Sequence, residues 1–166
     1  MEGILKKLID LIEKECTLYF SLLELLQNEK EALVGSKIEE LQGVIKGKES
    51  LLLKIRILDE HRNRLLKKIG ELLGDNEKEL TMTRLSSLVD EPFSSKLKNS
   101  SSKLLALTQS IQELNNCNRS LLVHSIELVR GSMNLLMNVM PSSHVYKRNG
   151  SIYNGEESGR NLSSMF

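Results

Sequence analysis

The sequence lacks tryptophan, holds only two prolines and two cysteines, and is just 4% aromatic across its 166 residues. Sheet-rich domains draw on aromatic and turn residues, so this poverty excludes an all-β architecture and favours helices. A charge excess is missing too. Lys+Arg is 23 against Asp+Glu 22, a net charge of +1, where a nucleic-acid-binding domain normally shows a strong basic excess. No apolar run approaches the length of a membrane span. The start, Met1-Glu2-Gly3-Ile4-Leu5-Lys6-Lys7 followed by Asp10 and Glu13, has no apolar signal-peptide core. Cys16 and Cys117 each sit in an apolar-periodic segment. They read as two buried free thiols of a reducing compartment, against the alternative of a disulfide.

What the chain does have is heptad periodicity. Leu5, Ile12, Tyr19, Leu26 and Leu33 recur every seven residues, widened either by Leu8 and Leu22 or by Ile9, Cys16 and Leu23. This predicts a first helix from about residue 2 to 33, ended by Gly35. Ser36 and Glu39 have the spacing of a capping box for a second helix. That helix carries Ile38, Leu41, Ile45, Leu52, Ile55, Leu66, Ile69 and Leu73, with Leu51, Leu58, Leu65 and Leu72 alongside, and stops at Gly74. Lys48, Asp59 and Arg62 interrupt its stripe. A connection this short requires the two helices to pack antiparallel.

Residues 75–91 read as a polar connection holding a short helix over about 83–89, with Leu85, Leu88 and Val89 as its apolar face. Asp90-Glu91-Pro92 signals the start of a last helix, expected to run to about Met140 before Pro141. Leu97, Leu104 and Ile111, then Leu107, Leu114, Leu121, Leu128 and Leu135, mark its core face. Asn99-Ser100-Ser101-Ser102 is a weak point where a bend or a late start is expected. Residues 141–166 read as a flexible tail. The fold expected is all-α: an elongated antiparallel bundle of three long helices plus a short one, with residues 1–140 as one domain and 141–166 as the tail.

The last helix is expected to outrun its partners and leave apolar surface exposed, at its Met-rich C-terminal end. It carries only seven charged residues, Lys96, Lys98, Lys103, Glu113, Arg119, Glu127 and Arg130, and otherwise Ser, Asn, Gln and Thr on its polar positions. Such a face costs less to desolvate than a Lys/Glu face, which suits a surface covered part of the time. Met133, Met137 and Met140 share one side of it; methionine adapts to irregular partners, or else fills gaps in a core. Asn118 falls on the line of Leu104 and Ile111, where an apolar residue is expected. A buried Asn there acts as a polar pin.

Catalytic signals are weak. His61 lies among Asp59, Glu60, Arg62 and Arg64, but adjacent helix residues do not face one another, so a solvated charged face is the plainer reading. His124 and His144 have no ligand partners at metal-binding spacing. No phosphate loop, Gly-x-Ser-x-Gly or Cys-x-x-Cys occurs. The reading is a non-enzymatic protein with no cofactor and no metal.

A leading helix pair, a Leu-Ser-Ser-Leu short helix, and a long helix bearing Leu114-Asn115-x-x-Asn118-x-x-Leu121-Leu122, followed by Tyr146 and Gly150, together resemble the FlgN family of flagellar export chaperones. The resemblance implies a cytosolic bacterial chaperone for type III export. It would bind the C-terminal segments of the hook-associated proteins FlgK and FlgL and bring them to the export gate protein FlhA, with no nucleic acid and no stable membrane insertion. Client-binding residues are then expected at Leu121, Leu122, Leu128, Met133, Leu136, Met137 and Met140. Gate docking is expected at Tyr146, and structural polar roles at Asn115 and Asn118. Without client, the exposed end could pair two copies as a homodimer. The competing reading is a structural coiled-coil adaptor. The polar interruptions at Lys48, Asp59, Arg62 and Asn118 argue against a long continuous rod and for a short intramolecular bundle.

Overall fold

The computed structural model describes residues 1–74 and 80–139, and the backbone of two short strands near the C-terminus. The fold is all-α, built from α1 (Glu2–Val34), α2 (Ile38–Leu73), α3 (Met82–Leu88) and α4 (Phe93–Val139). Two-residue strands β1 (Val145–Tyr146) and β2 (Ile152–Tyr153) pair antiparallel, Val145 opposite Tyr153 and Tyr146 opposite Ile152. The chain divides into two compact units, Met1–Ser125 and Ile126–Phe166.

In the first unit the helix directions follow from two ion pairs. Glu15 meets Arg62, and Glu29 meets Lys48. Fourteen residues forward along α1 therefore correspond to fourteen backward along α2, which makes the pair antiparallel. α4 runs parallel to α1. Its Leu97 joins Leu5, Leu8, Ile9 and Ile12 in one cluster, while Asn118, further along, bonds to Leu26.

The core has two apolar layers. The first gathers Leu5, Leu8, Ile9, Ile12 and Cys16 with Leu66 and Ile69 of α2, Leu80, Leu85 of α3 and Leu97. The second gathers Leu22 and Leu26 with Leu51 and Ile55, and Ile111 and Leu114 pack against it. Each fully buried Leu or Ile contributes roughly 1.5–3 kcal/mol.

The α1–α2 turn departs from the capping-box expectation. α2 has Lys37 at its N-cap, and no side chain caps it. Ser36 instead adopts φ 53° and closes α1: the Lys37 amide donates to the Ala32 carbonyl at 2.9 Å and the Ser36 amide to Leu33 at 3.3 Å. This is a Schellman-type closure, with the left-handed position filled by serine while Gly35 stays right-handed. A side chain there costs about 1–2 kcal/mol. Ser36→Gly should therefore stabilise the chain by about 1 kcal/mol, read as a raised Tm; an unchanged or lowered Tm would mean that the serine makes up the cost elsewhere. Gly74, at φ 72°, ends α2 as expected.

Several expectations about facing are corrected. Ile38, Ile45, Leu52, Leu72 and Leu73 are exposed. The inward line of α2 passes through Leu51, Ile55, Leu66 and Ile69, and Leu52 lies about 100° round the helix from Leu51. In α3, Leu85 is buried, but Leu88 is exposed and Ser86 is buried in its place. Ser86 is held because its carbonyl accepts the Ser94 hydroxyl at 2.7 Å, tying α3 to the start of α4. Thr81 caps α3 by accepting from the Arg84 amide. Residues 99–102 do not delay or interrupt α4, which is helical from Phe93. The Glu91 carboxylate supports that start by accepting from the Ser95 hydroxyl at 2.6 Å.

Candidate functional site

Two polar layers alternate with the apolar ones, both assembled from the residues that interrupt the heptads. In the first, Glu15 is fully buried and its carboxylate accepts from Arg62, which also donates to Asp59. One Glu15 oxygen, Oε1, has no partner among the described residues. Burial lifts the Glu15 carboxyl above the usual carboxylate range, and the Arg62 cation only partly opposes that. Burial and the nearby Glu15 also push the Tyr19 hydroxyl up.

The second polar layer joins all three long helices. Asn118, 3% exposed, donates to the Leu26 carbonyl at 2.8 Å and to the Glu29 carboxylate at 2.9 Å. Glu29 also receives Lys48 at 2.5 Å. Asn118 thus sits in the seam as a polar pin between α1 and α4. Asn115, three residues earlier, is exposed and joins no bond of this layer.

Glu15 and Glu29 were not singled out in the sequence, yet a signal for them exists. Both lie on the α1 apolar line fourteen residues apart, as Arg62 and Lys48 do on α2. Only the antiparallel register turns those spacings into pairs.

Beyond Asn118 the character of α4 changes. Leu121 is half-buried, and from residue 122 to 138 every side chain is exposed. Leu128 is 72% exposed, Met133 57%, Leu136 67% and Met137 70%. Ile126, Val129, Met133, Leu136 and Met137 form one line at helical spacing, and Leu128 and Leu135 a second beside it. Leu128 and Leu135 were expected on the core face and are instead in solvent. Ile126, Val129 and Leu135 join the surface although the sequence reading of binding residues omitted them. Contiguous exposed apolar side chains of this kind are what partner surfaces, protein or lipid, commonly cover. Met140 lies outside the described residues. Tyr146 is in β1, whose side chains are not described, and Gly150 also lies outside the described residues.

Reactive chemistry is sparse. Cys16 is buried, and burial raises its thiol, which keeps it protonated and unreactive. Cys117, expected buried, is exposed. It points into the groove between α1 and α4, beside Phe20, Leu23 and Leu114, rather than into the seam that Asn118 occupies. His61 is exposed on the charged side of α2. Among the described residues no group of His, Cys, Asp and Glu is placed to hold a metal ion. None of their helices is long and apolar enough to cross a membrane.

A family model described as FlgN protein matches residues 1–154 of the chain. No curated protein and no solved structure matches it.

Proposed function

The chain belongs to the FlgN family of flagellar export chaperones, and from that premise we propose that its α4 surface shields the C-terminal segments of FlgK and FlgL before export. The observation that supports this is the run of exposed side chains from 122 to 138, rich in Leu, Ile, Val and Met. A subunit terminus that assembles through an amphipathic helix needs its apolar face covered in the cytosol. A helix laid against these lines buries both faces at once. Association itself costs several kcal/mol, so a flexible, Met-bearing surface gives a contact strong enough to hold and weak enough to release.

Delivery to the gate protein FlhA is assigned to the C-terminal segment, with Tyr146 as an aromatic anchor. Titration calorimetry against the FlgK and FlgL C-terminal segments should show saturable binding near one-to-one with a negative heat-capacity change. Tyr146→Ala should leave that titration unchanged and weaken binding to FlhA. Unaltered FlhA affinity would remove Tyr146 from the mechanism, and no binding of either segment would remove these clients. The adaptor reading is less well supported, because the polar residues that would specify a partner strand in a rod are bonded within one chain: Arg62 to Glu15, and Lys48 and the Asn118 amide nitrogen to Glu29, with Asn118 Oδ1 left without a partner among the described residues.

A further inference from the structure

The outer face of α2 has properties that client binding does not use. Leu53, Ile57, Arg64 and Lys68 fall on one exposed line, with Lys54 and Lys67 flanking it. Leu53 is 62% exposed and Ile57 47%. The line covers sixteen residues of sequence, about 22 Å of helix from first to last.

Its charges are unbalanced in a specific way. From 49 to 71 six cations stand against four carboxylates, Glu49, Asp59, Glu60 and Glu71, an excess of two. Asp59 is held by Arg62, and Glu60 by Arg56. Lys54, Lys67 and Lys68 enter no ion pair among the described residues, and Arg64 uses only its Nε, donating to the Glu60 carbonyl. Exposed aliphatics flanked by an excess of cations over carboxylates suit a helix that lies on an anionic lipid surface.

We infer that this face of α2 docks the protein reversibly on an anionic bilayer surface. Charge complementarity selects the partner's sign, and Leu53 and Ile57 supply the shallow apolar contact. A membrane suits the shape better than an acidic helix does. Leu53, Ile57, Arg64, Lys67 and Lys68 line none of the grooves built around Phe20, Phe93 or Gly47, although Lys54 lines the last of them; the line itself is the convex flank of one helix. The use of such a contact, holding a loaded chaperone near the membrane where export occurs, rests on the export reading. The lipid contact itself does not.

The test is co-sedimentation of the full chain, without client, with vesicles of about three parts phosphatidylcholine to one of phosphatidylglycerol, and with phosphatidylcholine alone. Binding is expected to the anionic vesicles only, and to vanish at high salt. Lys67→Gln with Lys68→Gln should weaken it about thirtyfold, and Leu53→Ser with Ile57→Ser should weaken it as well. All four positions face solvent, and far-UV helicity confirms that each variant is folded. Leu128→Ser with Leu136→Ser should leave vesicle binding unchanged, because those residues belong to the other surface. Equal binding to neutral vesicles would overturn the inference, as would dependence on Leu128 and Leu136 instead of α2. So would an absence of vesicle binding while a helical Glu/Leu peptide binds, which would assign the face to an acidic protein. These outcomes leave the client titration untouched, so failure here is separable from failure of the export reading.

Discussion

Arg62→Met should destabilise the fold by about 3–5 kcal/mol at neutral pH, the usual cost of stranding a buried charge. Glu15 is fully buried, and among the described residues Arg62 is its only hydrogen-bond donor. Removing the guanidinium forces the carboxyl either to stay charged in an apolar layer or to take up a proton. The loss should shrink as the pH falls, because a protonated Glu15 no longer needs the cation. In the native chain the sign is set by the direction of the shift. The folded carboxyl lies above its ordinary 4.5, so the folded state holds a proton that the unfolded state has already released. Its contribution is present below about pH 4.5 and is withdrawn as the pH rises through the folded titration. Glu15→Gln should remove this slope from a series of urea melts, and Glu15→Met with Arg62→Met should recover most of the stability lost by Arg62→Met alone. A cost below about 1 kcal/mol for Arg62→Met, the range of a surface pair, would show that the layer is solvated.

Met133→Glu with Met137→Glu should abolish most client binding, about a hundredfold or more, since charges placed among central apolar contacts are among the costliest interface changes. The same pair should move global stability by only about 0.5 kcal/mol, the usual range for exposed positions. The two readouts separate the possibilities. Both methionines are exposed in the free chain, so a fall in far-UV helicity or in Tm would mean that they are covered in solution and serve as core. Calorimetry with a C-terminal client segment, run beside a thermal melt of the same preparation, measures both.

Periodicity made much of this architecture legible. Leu5, Leu8, Ile12, Leu22 and Leu26 lie in the core where their spacing put them, and Gly74 ends its helix in the left-handed region that glycine favours. Asn118 stood out because it occupied an apolar position, and it is buried there. Other features depended on facts that spacing does not carry. Glu15 and Glu29 looked like ordinary helix charges until the antiparallel register placed Arg62 and Lys48 opposite them. The Ser36–Glu39 spacing matched a capping box, but the chain needed a left-handed residue at Ser36 to close α1, and that backbone demand prevailed. Ile38, Ile45 and Leu52 repeat every seven residues as convincingly as the core does, yet α2 turns another line inward. An apolar stripe reads the same whether a partner covers it or not. For that reason the lines of α4 were visible in sequence while the point at which they enter solvent, just past Leu121, was not.

The most direct test of the α4 surface is hydrogen–deuterium exchange of the full chain, free and saturated with a FlgK or FlgL C-terminal segment. Backbone amides from 122 to 138 belong to helix whose side chains lie in solvent, and should exchange faster than the buried helices when the chain is free. Binding should slow exchange there by an order of magnitude or more, with little change across residues 5–74. Protection confined to α1 and α2, with 122–138 unaffected by a bound client, would contradict the account and move the client site off α4.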